Sequence, residues 1–166
     1  MKRVLPLLIA CTALSGCGLR PVYSGGTHGA VAQALGNVEV APIEGKAGWL
    51  VRDALRQRLG ALGGQGPHYR LVVKLDDNIE GFGVRRDDTI TRERRTLRAR
   101  YQLIDDATGT QMVDATAGSD AGIDVTSSEY ATIAAEDTAL ERLSLVIADQ
   151  IVSRLALFAS KGGNTQ

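Results

Sequence analysis

Cysteine is scarce in this 166-residue sequence. The two cysteines, Cys11 and Cys17, both lie in the first seventeen positions. No disulfide can therefore crosslink the rest of the chain, and no cysteine there can bind a metal or act as a nucleophile. Aromatic residues make up only 4% of the sequence, so the core has to be built mainly from Leu, Val, Ile and Ala. The length suits one domain with a substantial core better than two.

Net charge is lacking as well, because 19 basic residues balance 19 acidic ones. Loss of an N-terminal leader containing Lys2 and Arg3 would leave 17 against 19, a net charge of about −2. This balance gives no general electrostatic attraction to nucleic acid. Any anion binding has to come from a local cluster of basic residues.

Motifs typical of catalysis and metal binding are missing too. His28 and His68 are far apart and have no cysteine partners, so they do not predict a metal site. There is no nucleophile elbow and no phosphate-binding loop, and the glycines of Gly63-Gly64-Gln65-Gly66 are better explained as a helix stop. We predict a protein that is not an enzyme and that uses no cofactor.

Trp49 is interpreted as a core or interface anchor.

The first residues have the layout of a bacterial secretory leader. Lys2 and Arg3 precede the short apolar stretch 4–14, which is too short to span a bilayer. The junction Leu14-Ser15-Gly16-Cys17 resembles a lipobox, in which the cysteine is acylated and becomes the first mature residue. We therefore predict lipid attachment at Cys17. The next residue, Gly18, is not the Asp that is typical of inner-membrane lipoproteins, which favours the outer membrane.

A second box, Leu8-Ile9-Ala10-Cys11, has acceptable residues as well. It would leave an apolar region at the lower limit of the usual roughly 7–15 residues. Cys17 is therefore preferred over Cys11.

Hydrophobic periodicity divides the remaining chain into six elements. Alternation of apolar and polar residues predicts strands, and apolar residues at three- and four-residue steps predict helices. The predicted elements are strands at 38–43, 69–79, 89–104 and 110–125, and helices at 46–62 and 130–159. Gly81-Phe82-Gly83 predicts a bend or bulge, and Asp105-Asp106-Ala107-Thr108-Gly109 predicts a turn.

This order, β-α-β-β-β-α, predicts an α+β fold with two helices packed on one face of a mostly antiparallel four-stranded sheet. The predicted organisation is a signal peptide at 1–16, a lipidated N-terminus and flexible tether at 17–36, one α+β domain at 37–160 and a disordered tail at 161–166.

Several segments together resemble the LPS-assembly lipoprotein family, LptE. The resemblance begins at Cys17-Gly18-Leu19-Arg20-Pro21-Val22-Tyr23 and continues with the Tyr-Arg-Leu-Val-Val strand at Tyr69. It includes Arg100-Tyr101-Gln102-Leu103-Ile104-Asp105, and Ser128-Glu129-Tyr130-Ala131 ahead of a helix that ends in Ile151-Val152-Ser153-Arg154-Leu155. The similarity covers nearly all of the mature chain in the right order.

The resemblance implies a lipid-anchored outer-membrane protein that faces the periplasm. It also implies that the protein plugs an LptD-like β-barrel, helps this barrel to assemble, and contacts lipopolysaccharide. A free periplasm-facing lipoprotein that binds a lipid or another ligand without a barrel partner remains the alternative. The sequence leaves open whether the helix exteriors or the open sheet face would meet the barrel.

The densest charge cluster lies on the third strand and just before it. We call its residues the arginine stripe; they are Arg85, Arg86, Arg92, Arg94, Arg98 and Arg100. Those at 92, 94, 98 and 100 share a strand face opposite to Leu97 and Leu103. Guanidinium groups suit phosphates because they bind bidentately, which makes lipopolysaccharide phosphates candidate ligands.

The alternative is a solvated or barrel-facing surface, because one face of an antiparallel sheet is commonly polar. Three carboxylates of the fourth strand, Asp114, Asp120 and Asp124, share the same face. One allowed register sets Arg100 opposite Asp114 and Arg94 opposite Asp120, which would partly neutralise the stripe.

Overall fold

A computed structural model of the protein describes residues 30–60, 68–84 and 90–162. Seven elements follow one another in these ranges. They are α1 (Ala30–Leu35), β1 (Val38–Val40), α2 (Gly45–Gly60), β2 (Tyr69–Val84), β3 (Ile90–Asp105), β4 (Gln111–Asp124) and α3 (Glu129–Gly162). The leader, the lipobox and the C-terminal tail lie outside the described residues.

The strands form one sheet in the order β1-β2-β3-β4. β2, β3 and β4 are antiparallel neighbours, whereas β1 pairs with β2 in parallel through the crossover helix α2. The predicted fold class is confirmed: α2 and α3 pack with a mixed, mostly antiparallel sheet.

One face of the sheet is buried beneath the helices because apolar residues alternate along the strands. Leu71 on β2 faces Leu103 on β3, and both are fully buried. The fully buried large side chains include Leu55, Leu71, Leu97, Tyr101, Leu103, Leu140, Ile147, Ile151 and Leu155. No helix of the described ranges packs on the opposite face of the sheet, and we call it the open face.

α3 is long and apolar enough to cross a membrane by composition, but half of its most apolar stretch is buried in the domain. One side of the helix supplies core residues such as Ile147, Ile151 and Leu155, whereas Leu145 and Leu157 are exposed on the other. Trp49 at the start of α2 is 66% exposed, so it is not a core residue, and an interface role remains a prediction.

α1 lies where the sequence analysis placed a flexible tether. Val31 and Leu35 are one helical turn apart, and both are buried, as is Ala32. α1 contacts α3, so the tether prediction is wrong for residues 30–35. Six residues are too few for helical periodicity to stand out from a Gly- and Ala-rich background.

The remaining differences concern where elements end. β1 ends at Val40, shortly before Pro42, whose missing N–H cannot extend the pairing. β2 continues to Val84, past the predicted bend. Gly83 has a φ of 78°, and its carbonyl accepts a hydrogen bond from the Thr91 hydroxyl at 2.6 Å. The irregularity therefore occurs inside the strand without ending it.

Candidate functional site

A shallow cavity of about 620 Å³ lies against the middle strands of the sheet. The sheet register brings its charged residues together, because Lys74 is opposite Arg100 and Asp76 is opposite Arg98. On the other side, Arg98 is opposite Gly118 and Arg100 is opposite Thr116. We call this site the open-face basin; its polar lining residues are Lys74, Asp76, Arg98, Arg100, Thr116 and Gln150, and Gly118 lines it as well.

Arg98 lies across the backbone of β4, and Gly118 makes this position possible. A Cβ at Gly118 would be 2.6 Å from Cδ of Arg98 and 2.8 Å from its Nη1. The guanidinium donates to the carbonyl of Ser119 at 3.2 Å. Among the residues that the structure describes, no carboxylate forms an ion pair with Arg98 or with Lys74.

Arg100 is neutralised by Asp114. Its Nε and Nη2 donate to the two carboxylate oxygens at 3.2 and 3.0 Å. The guanidinium and the Gln102 amide, which donates at 3.1 Å, lower the pKa of Asp114 from its ordinary value. The expected opposition of Arg100 and Asp114 is nevertheless wrong, because Arg100 is opposite Thr116 and reaches Asp114 diagonally.

The other described members of the arginine stripe have different environments. Arg92 is opposite Asp124 and forms an exposed ion pair with it at 3.0 Å. Arg94 is opposite Gly122, which makes its predicted opposition to Asp120 wrong. Its guanidinium carbon lies 5.2 Å from the ring centroid of Phe82, within cation–π distance.

The structure thus brings Arg98 and Arg100 into the open-face basin and leaves Arg92 and Arg94 outside its lining. Arg85, Arg86 and Cys17 lie outside the described residues, so their roles stay predictions. Lys74 was missed by the sequence analysis. It lies on β2, and only the pairing of β2 with β3 shows that it is beside Arg100.

Arg95 points the other way, towards the helices. It donates to both oxygens of Asp77 at 2.8 and 2.6 Å and to the backbone carbonyl of Glu136 in α3 at 2.9 Å. Only 11% of its side chain is exposed. Hydrogen bonding to Asp77 raises the pKa of Arg95. Arg95 has an odd residue number, as Leu97 has, so alternation along β3 places both on the same face. This distinguishes Arg95 from the arginines of the stripe on β3, whose residue numbers are even.

The basin combines cationic side chains with one carboxylate, that of Asp76. Lys74 and Arg98 offer cationic donors on one side of the sheet, while Arg100 shares its charge with Asp114. Within the ranges 30–60, 68–84 and 90–162, no cluster of three His, Cys, Asp or Glu residues is arranged to hold a metal.

Comparison with known proteins identifies relatives of this chain. Residues 35–155 match the model of the family LptE, described as lipopolysaccharide-assembly. No curated protein shows a significant match to the sequence. A lipoprotein structure from Caulobacter crescentus is similar at 26% identity with a TM-score of 0.62, over 78% of this chain and 96% of that one.

Two further solved structures are similar in fold. The minor lipoprotein from Acinetobacter baumannii has 12% identity and a TM-score of 0.60, over 75% of this chain and 93% of its own. Rare lipoprotein B from Shewanella oneidensis has 11% identity and a TM-score of 0.56, over 77% and 96% respectively. At these identities the likeness concerns the fold alone.

Proposed function

The chain belongs to the LptE lipopolysaccharide-assembly family, and from this premise we propose that it plugs, and helps to assemble, an LptD-like outer-membrane β-barrel that exports lipopolysaccharide. We further propose that acylated Cys17 anchors it in the outer membrane, with the folded domain facing the periplasm. Its role would be non-enzymatic.

The single observation that carries this proposal is the family match, because residues 35–155 include six of the seven described elements nearly whole. The molecular surface is compatible with a large partner. Trp49 is 66% exposed, Tyr130 89% and Leu145 48%, and large exposed apolar residues are frequent anchors at protein interfaces. These residues lie on the helices, which makes the helix exteriors candidates for the barrel contact.

The barrel role is tested by solubilising membranes in mild detergent and purifying the tagged full chain. A large β-barrel recovered in stoichiometric amount would support the plug. A monomer that carries lipid but no barrel would contradict it and support the alternative, a free ligand-binding lipoprotein.

We also propose that the open-face basin binds the phosphate groups of lipopolysaccharide. Lys74 and Arg98 support this proposal because neither forms an ion pair with the described carboxylates. Arg98 is also held in place by the Ser119 carbonyl. A partly ordered guanidinium loses less side-chain entropy when it binds a phosphate than a freely rotating one.

Reversing the charge of the basin should remove this contact. In the double variant Arg98→Glu and Arg100→Glu, we expect affinity for purified lipopolysaccharide to fall by about tenfold or more, since charge-assisted hydrogen bonds are replaced by repulsion. Arg56→Glu with Arg142→Glu is the matched control, because it makes the same change in net charge at exposed positions on α2 and α3. Equal affinities of the two folded double variants would contradict the ligand proposal.

A further inference from the structure

β4 is the last strand in the sheet order, so one side of its backbone faces away from β3. Gln150 of α3 shows which residues point outward. The backbone N–H of Gly118 donates to Oε1 of Gln150 at 3.0 Å, and Nε2 of Gln150 donates to the Gly118 carbonyl at 3.2 Å. Both backbone groups of Gly118 therefore point away from the sheet.

Hydrogen-bonding direction alternates along an antiparallel strand. Thr116, Asp120 and Gly122 consequently direct their N–H and C=O groups outward, as Gly118 does. In the described part of the chain, no backbone partner takes these groups. We call this row, 116–122, the β4 edge. The side-chain amide of Gln150 exchanges two hydrogen bonds with Gly118, as the backbone of a directly opposite residue does in an antiparallel pair. It occupies only this one position of the edge.

The two sides of the β4 edge differ in chemistry. On the open face, β4 carries the acidic row Asp114, Asp120 and Asp124, of which Asp114 pairs with Arg100 and Asp124 with Arg92 on β3. Asp120 forms no ion pair with any described residue. On the helix side, a crevice of about 350 Å³ runs between β4 and the end of α3. It adjoins the edge at β4 residues 112–115, and its lining combines the apolar Met112, Val113, Ala115, Leu157 and Phe158 with the charged Asp114 and Arg154. Leu157 is 43% exposed.

We propose that the β4 edge binds an extended strand of another protein in antiparallel orientation, with basic side chains on the open face and apolar side chains towards α3. Such a strand would displace Gln150 from Gly118, satisfy the outward backbone groups of the edge and place a basic side chain beside the unpaired carboxylate of Asp120. A second copy fits less well, because β4 paired with β4 would set two acidic rows side by side on one face. The proposal does not depend on the barrel role.

The test uses the detergent-solubilised full chain and a short synthetic peptide of alternating valine and arginine. We expect binding with slowed hydrogen exchange at the amides of Thr116, Asp120 and Gly122, read by NMR. Directly opposite residues share a face, so the arginine amides should point at β4. A peptide N-methylated on its arginine amides should lose binding, whereas one N-methylated on its valine amides should retain it.

A matched pair of variants tests the same edge by changing β4 instead of the peptide. Proline at an outward edge position removes an N–H that the sheet does not use, although it also fixes φ. Gly122→Pro should therefore weaken peptide binding about five-fold, as expected for one lost hydrogen bond. Gly122→Ala should bind as the unmodified chain does, because an added Cβ there meets no atom within 4 Å.

Three results would overturn the proposal. The first is absence of binding by the unmodified peptide to the folded chain. The second is equal binding of the two N-methylated peptides, which would show attraction by charge alone. The third is protection of the edge amides that rises with protein concentration in the absence of peptide, which would assign the edge to a second copy. If Gly122→Pro does not fold, the comparison of the two N-methylated peptides, made with the unmodified chain, still tests the proposal.

Discussion

Glu93 occupies a position on β3 that alternation assigns to the apolar face. Its Oε2 atom is buried, and no described residue forms a hydrogen bond with it. Burial raises the pKa of Glu93, and the neighbouring carboxyl of Glu136 raises it further. A carboxyl whose pKa is raised by folding weakens the fold when ionised, and this cost is absent at low pH, where both states are protonated.

Glu93→Gln should therefore stabilise the protein at neutral pH. We expect a gain of about 0.5 kcal/mol or less at pH 7, because solvent screens this partly exposed carboxyl. The gain shrinks as the pH falls through the folded-state pKa and vanishes below about pH 4, the unfolded-state range. Urea unfolding at pH 7 and at acidic pH measures it. Glu141→Gln, at an exposed position in the middle of α3 and away from either helix end, is the control and should change stability little at either pH. A Glu93→Gln variant that is less stable at pH 7 would contradict this assignment.

The helices and the sheet are joined by polar contacts as well as by the apolar core. Arg95 links three elements, since it lies on β3, pairs with Asp77 on β2 and donates to the carbonyl of Glu136 in α3. The side chains of Arg95 and Asp77 are 11% and 24% exposed. A pair this sheltered is costly to break, because the remaining partner keeps its charge without compensation.

Arg95→Leu should cost about 1–3 kcal/mol of unfolding free energy, less than a fully buried pair would. Adding Asp77→Leu should restore part of the loss, and chemical denaturation of both single variants and the double variant gives the coupling energy. Arg92→Leu is the matched control on the same strand. Its ion pair with Asp124 is 62% and 78% exposed, so we expect a loss below about 1 kcal/mol. Similar losses for Arg95→Leu and Arg92→Leu would contradict the bridging role.

Alternation along the strands was enough to predict the face on which each described arginine of the stripe lies. It separates Arg98 and Arg100 from Leu97 and Leu103, as the structure confirms. The register could not be predicted, because a slip of two residues keeps every side chain on its face. Arg100 is therefore opposite Thr116 and not Asp114.

Contacts between distant segments could not be read from the sequence either. The place of Lys74 in the basin depends on the pairing of β2 with β3, and the role of Gly118 depends on the path of the Arg98 side chain. α1 was missed because its burial arises from packing on α3 and not from a pattern that six residues can display.

For the molecule as a whole, attachment to the membrane and folding of the domain should be separable. The described core lies within residues 31–159, so the proposed acylation at Cys17 contributes no core residue. Cys17→Ala should abolish acyl labelling and membrane retention while leaving the domain folded, as measured by palmitate labelling, fractionation and circular dichroism.

Cells without the barrel partner provide the control for this experiment, because binding to the barrel could itself retain the unlipidated chain. Membrane attachment that persists in Cys17→Ala under these conditions would assign the anchor to another residue, with Cys11 tested first through Cys11→Ala.

The shortness of β1 has a mechanical consequence. A pull on an anchor at the N-terminus would enter the described fold through α1 and then through β1. This three-residue strand pairs, among the strands that the structure describes, with β2 alone. The long antiparallel pairs of β2, β3 and β4 lie beyond this point, with many more hydrogen bonds to share the load. Tension from the membrane would therefore detach α1 and β1 at low force and reach the meander and its buried leucines only afterwards.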